Sequence, residues 1–252
     1  MIVAEQKPME EIAEMIKDFN KILILGCGGC VSVCLSGGEK EAGIMASALK
    51  MFVKNNQNRD IEITHMTIAR QCDWEYFDMV KDAMAETQAC VCIGCGAGVQ
   101  GLVDVYPNVP IFPGLNTGGL AVGKVPGVWE ERCAGCGNCI LHLTGGLCPI
   151  ARCSKHILNG PCGGSEKGMC EVDPKTIECV WHLIYERLKS IGKLDNIYKI
   201  MPMKDWSASS DGGVRHLTRE DMAKLDAEEE HKKNVELEKK AEEAEAAAKG
   251  QG

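Results

Sequence analysis

No stretch of eighteen consecutive apolar residues occurs in this 252-residue chain, so nothing in it reads as a membrane-spanning helix. No block of clustered Lys and Arg occurs either. The formal net charge is −8, and from Arg219 to Gly252 seven basic residues stand against eleven acidic ones. Phosphate backbones are gripped by clustered cations, so nucleic acid is excluded as an expected partner. The first twenty residues, MIVAEQKPMEEIAEMIKDFN, carry acids and lysines throughout and lack the apolar core of a secretory signal. The expected location is therefore cytoplasmic. Also missing are a phosphate-binding loop, a Ser/His/Asp set and an isolated carboxylate pair in a Gly-rich frame, which leaves no catalytic side chain to nominate.

Cysteine, by contrast, is abundant, with fifteen residues. Cytosolic glutathione keeps thiols reduced, so this usage points to metal binding rather than to disulfides. Eight of the fifteen fall between residues 133 and 179, in a stretch too short to build an ordinary hydrophobic core.

Residues 1–125 alternate in the manner of an α/β domain. Met9 to Phe19 has helical spacing, KILILG (21–26) is a short apolar strand ending in glycine, and GEKEAGIMASALKMFVKNN is a long helix predicted to bury Ile44, Ala48, Met51 and Phe52. The cycle repeats with a strand over 61–68, a helix over 74–86, a strand over 89–94, a short helix over 96–106 and a last strand over 109–114. Strands separated by helices predict parallel pairing through right-handed crossovers, hence a small doubly wound sheet of about four strands. Residues 126–200 form the expected second domain, Cys- and Gly-rich and with little regular structure until a helical stripe of Val180, Leu183, Ile184, Leu188 and Ile191 returns. Residues 201–252 read as a linker and a charged, frayed helical tail, with Thr218 as its cap and Glu220/Lys224 and Glu236/Lys240 as i,i+4 pairs. A partner-docking helix is the alternative for that tail.

The loop after the first strand, GCGGCVSVCLSGGEKEA, needs a test against dinucleotide binding. Gly26 and Gly28 fit the fingerprint, but the third position is Val31 and the helix begins later, so the nucleotide reading fails. What the loop offers is Cys27, Cys30 and Cys34, three thiols at the carboxyl end of a strand, where α/β sheets keep their ligands. A cubane cluster needs a fourth. Cys95, following the strand at 89–94, is the leading candidate and Cys72, after the preceding strand, the alternate. Cys90 and Cys92 lie within a strand and read as small buried hydrophobes. A structural zinc could use the same four thiols.

In the second block Cys133, Cys136 and Cys139 form C-x2-C-x2-C, the opening of a ferredoxin run, whose expected Cys-Pro is here Cys148-Pro149, with eight residues intervening. Cys153, Cys162, Cys170 and Cys179 complete eight thiols, enough for two four-thiolate centres. Spacing alone does not divide the set, and two clusters, or one cluster and one zinc, both satisfy it. The surrounding glycines let backbone N–H groups approach and donate to a cluster, which raises its reduction potential. His142, His156 and His182 read as surface or supporting residues while thiols are in surplus.

The segment from CAGCGNC through NGPCGG to CEVDP, followed by CVWHLIYERL, resembles the methylenetetrahydrofolate reductase C-terminal family, and GCGGCVSVCLSGGEKEA with CGAGVQ is similar to the N-terminal half of the corresponding acetogen proteins. The resemblance spans roughly residues 20–200. It implies a non-catalytic iron–sulfur subunit carrying two or three [4Fe–4S] clusters, with room for one Zn2+. The implied partner is a flavin-bearing barrel subunit that reduces methylenetetrahydrofolate to methyltetrahydrofolate in the methyl branch of acetyl-CoA synthesis. Ferredoxin or an NADH-oxidising subunit would be the electron donor. A zinc-held interaction subunit is the alternative.

Overall fold

The computed structural model describes residues 1–209 and Arg219, and its centre is a four-stranded parallel sheet. In chain order the elements are β1 (Ile2–Gln6), α1 (Met9–Met15), β2 (Lys21–Cys27), α2 (Cys30–Val33), α3 (Glu39–Gln57) and β3 (Glu62–Ile68). A 3-10 segment (Trp74–Val80) then leads into α4 (Lys81–Glu86), followed by β4 (Ala89–Ile93), α5 (Gly96–Val105) and β5 (Ile111–Pro113). Next come β6 (Leu115–Val125), β7 (Val128–Cys133), α6 (Pro149–Arg152), β8 (Met169–Cys170), β9 (Asp173–Glu178) and α7 (Val180–Ser190).

The expected parallel α/β sheet is present, with strand order β3-β2-β4-β5. Both central strands are apolar on both faces because both faces are covered. Ile22 and Ile24 of β2, with Val91 and Ile93 of β4, pack towards Ile12 and Ile16 beside α1 and towards Met45 and Leu49 of α3. The alternate residues Leu23, Leu25, Cys90 and Cys92 pack towards Phe77, Val80, Met84 and Leu102. Each fully buried Ile or Leu contributes roughly 1.5–3 kcal/mol, so this double layer holds the domain together.

Three features depart from the sequence reading. The long helix buries Ala42, Met45, Ala46, Leu49 and Val53, while Ile44 and Met51 are exposed. Two apolar stripes run along α3, and the one that packs with Ile22, Ile24, Val91 and Ile93 of the sheet is the buried one. The predicted helix over 74–86 is 3-10 in its first half. A second, antiparallel sheet of order β1-β6-β7 was not foreseen, and β6 and β7 pair across residues 126–127, so both sides of the expected 125/126 boundary share it.

Residues 1–204 form one compact unit. The tail features at Thr218, Glu220/Lys224 and Glu236/Lys240 lie outside the described residues. The cysteine-rich stretch has a small core of its own, in which Val180, Trp181, Ile184 and Leu188 of α7 meet Leu147, Leu194 and Ile197. The predicted stripe on α7 thus holds in part, with Trp181 added and Ile191 exposed.

Candidate thiol-lined metal centres

In the parallel sheet the chain leaves β2, crosses to β3 on one side, then returns to β4 on the other, so the order of strands reverses between β2 and β4. Loops diverge at the carboxyl ends there and leave a crevice. Cys27 closes β2, paired with Ile68 at the end of β3; Cys95 follows β4 and precedes α5; Cys72 lies four residues beyond β3. Cys30 opens α2. These loops leave three adjacent parallel strands at the same end of the sheet, and the Cys72 thiol is pushed up first by loss of hydration and then by the charges of Cys95, Cys27 and Cys30.

Cys34, expected beside them, bonds elsewhere. It is buried, with its sulfur 3.1 Å from Ser36 Oγ, 3.6 Å from the Val31 carbonyl and 3.8 Å from the Ala4 carbonyl of β1. Cys90 and Cys92 are wholly buried, as their strand position suggested. Burial holds the Cys90 thiol well above its usual range and pushes Cys92 up to about 12, so both stay neutral.

Sequence reasoning passed over Gln71. It is 1 % exposed, and its amide donates to the Leu25 and Gly26 carbonyls at 2.9 and 2.8 Å while its carbonyl oxygen accepts from the Cys92 thiol at 2.7 Å. A Cβ on Gly94 would stand 2.0 Å from that same oxygen. The residue before Cys72 is therefore tied to the ends of β2 and β4. The available signal was position alone, a polar side chain directly beside a candidate ligand.

In the second block Cys133, Cys136, Cys139 and Cys148 line a single cavity. Cys133 stands where β7 ends, and Cys148 is the N-cap of α6, with Pro149 at its first turn. Backbone N–H groups aim at these sulfurs: Gly135 donates to Cys133 at 3.4 Å and Ala151 to Cys148 at 3.5 Å. Arg132 lines the cavity and is ion-paired with Glu130.

The other four thiols lie along a different line of contacts. Cys153 and Cys179 share the α7 core. Cys162 is 3.8 Å from Glu171 Oε1, and Cys170 is 4.0 Å from Ser154 Oγ. Lys155 pairs with Glu171, and it is held up by that carboxylate first and then by Cys162 and Cys170. Gly164 N–H donates to Cys162 at 3.4 Å, repeating the pattern at Cys133. The histidines stand apart: His156 Nδ1 bonds the Ile150 carbonyl at 2.7 Å, and His142 and His182 are exposed. Among the described residues no three His, Cys, Asp or Glu side chains stand around one metal-ion position.

Residues 112–207 match a family model described as methylene-tetrahydrofolate reductase C terminal. That match takes in all eight cysteines of the second block and the whole of α7, so over this stretch the chain is similar to the C-terminal region of methylenetetrahydrofolate reductases. The corner built from Cys27, Cys30, Cys72 and Cys95 lies outside it. No curated protein and no solved structure matches the chain. Among the described residues no helix is long and apolar enough to cross a membrane.

Neighbouring thiols repel one another once ionised, and a bound thiophilic cation would remove that repulsion and favour deprotonation. Backbone N–H groups directed at cysteine sulfur stabilise the anionic ligand and tune what it holds.

Proposed function

We propose that this chain is the electron-transfer subunit of a methylenetetrahydrofolate reductase complex, a MetV-type subunit that works with a flavin-bearing barrel subunit. The observation that carries this reading is the cavity lined by Cys133, Cys136, Cys139 and Cys148 inside the stretch similar to methylenetetrahydrofolate reductase C termini. It supplies the three thiols of a ferredoxin-like run together with the displaced Cys-Pro, and backbone N–H donors and Arg132 border it. When bound, [4Fe–4S] clusters supply one-electron transfer with little change in thiolate geometry. Exposed Cys133 and Cys139 put this centre at the surface, where a partner's flavin can approach. The folate chemistry belongs to that partner, and ferredoxin or an NADH-oxidising subunit supplies the electrons.

A second reading, a zinc-held interaction subunit, draws on the burial of Cys179 and Cys153 in the α7 core, where a structural ion would tie loop to helix. Anaerobic purification followed by iron, acid-labile sulfide and zinc analysis separates the two. Iron and sulfide in equal amounts, with a broad visible absorption bleached by dithionite, is the expected result. Zinc without labile sulfide would remove the electron-transfer reading.

A further inference from the structure

We propose that the N-terminal centre is held by Cys27, Cys30, Cys72 and Cys95, and that Cys34 is a packing residue outside the ligand set. The proposal rests on the metal-binding reading above and names the ligands of a site that lies outside the family match. Three adjacent parallel strands deliver their following loops to one corner, and each loop brings thiols: Cys27 and Cys30 after β2, Cys72 after β3, Cys95 after β4. Cys30 and Cys72 are exposed while Cys27 is buried, so the corner is closed beneath and open to an entering group above. Such a set takes a thiophilic cation or a sulfide-bridged iron cluster.

The C-x2-C-x3-C spacing of the loop suggests three ligands from one segment, but the third thiol is already engaged. Its partners are Ser36, Val31 and Ala4, and it is 5 % exposed in the core beneath β1. In its place Gln71 acts as a positioning residue. Its carboxamide is bonded to both the β2 carbonyls and the β4 thiol, which anchors the residue next to Cys72 against the ends of those strands.

The test compares Cys72→Ala with Cys34→Ala in the full chain, purified without oxygen, by iron, zinc and labile-sulfide content, with far-UV circular dichroism as the check on folding. Cys72→Ala is expected to lose one centre's metal, about four irons per chain for a cubane, with an unchanged spectrum because Cys72 is exposed. Cys34→Ala is expected to keep wild-type metal and to melt at lower temperature. Full metal in Cys72→Ala overturns the assignment whether or not Cys34→Ala folds, and so does a folded Cys34→Ala that loses as much. If the metal lost from Cys72→Ala is zinc, the ligand set stands and the cluster reading at this corner falls; wild-type protein without iron or zinc overturns both.

Discussion

Cys90 and Cys92 lie wholly buried in the middle of a parallel sheet, whereas Cys133 at the end of β7 and Cys139 and Cys162 on loops stand exposed. The buried pair is covered by Phe77, Val80 and Met84 and is neutral, so each thiol acts as a small apolar side chain. Cys133 and Cys162 accept backbone N–H groups from Gly135 and Gly164, as Cys92 does from Gly94, but they do so while exposed to water. The same residue type thus serves as core in one region and stands as a candidate ligand in the other, and its surroundings tell the two apart. The cores differ accordingly. Between β2 and β5 two apolar layers close around the sheet, while the cysteine-rich stretch has only the cluster around α7.

If that contrast is right, removing metal separates the regions. Oxidative stripping with a chelator should abolish amide-exchange protection across residues 133–179 and leave β2 and β4 protected. This is the largest effect expected, because a structural thiolate site supplies on the order of 10 kcal/mol or more of folding free energy. Exchange monitored by mass spectrometry checks it. Retained protection in both regions would mean that the second region folds without its metal, and the contrast would fail.

Trp181→Ala sharpens the comparison from the other side. The indole is 5 % exposed, its Nε1 donates to the Ile157 carbonyl at 3.0 Å, and a Cβ on Gly160 would stand 2.5 Å from it, so loop and helix meet on this ring. Its removal should cost about 3–5 kcal/mol. Denaturant melts with regional exchange should place that loss in residues 133–200 and leave the parallel sheet unchanged. Equal loss in the sheet would show one cooperative unit.

The parallel sheet was legible because its central strands are continuous apolar runs with turns at their ends. The antiparallel sheet was not, because LNTGGLAVGKV is interrupted by glycine and leaves Val122 and Val125 exposed, so it lacks the alternation of a half-buried strand. The buried face of α3 was misread because apolar residues occupy both stripes and packing against the sheet, not the helical spacing, selects between them. At the candidate sites, spacing marked the C-x2-C-x2-C run and Cys148. It could not divide the eight thiols, since that division follows from which side chains share a cavity or a core. Nor could it separate Cys34 from Cys72, since the folded loop and the approach of Ala4 from β1 decide which thiol is already engaged.

The smallest effect concerns the buried thiols themselves. An unfolded cysteine ionises near pH 8.5, whereas Cys92 in the folded chain does so at about 12 and Cys90 well above its usual range. Both folded-state values are raised, so the folded state keeps protons that the unfolded state releases. This contribution is intact below about pH 8.5 and is lost as pH rises towards 12. Each thiol should therefore steepen the fall in unfolding free energy by about 1.4 kcal/mol per pH unit above pH 9. Replacing both with alanine should remove that component from urea melts run at pH 9 and 10 under reducing, oxygen-free conditions, while Cys133→Ala, an exposed thiol, should leave it in place. An unchanged slope in the Cys90→Ala/Cys92→Ala chain would mean that these thiols reach water and that burial does not distinguish them from the ligands.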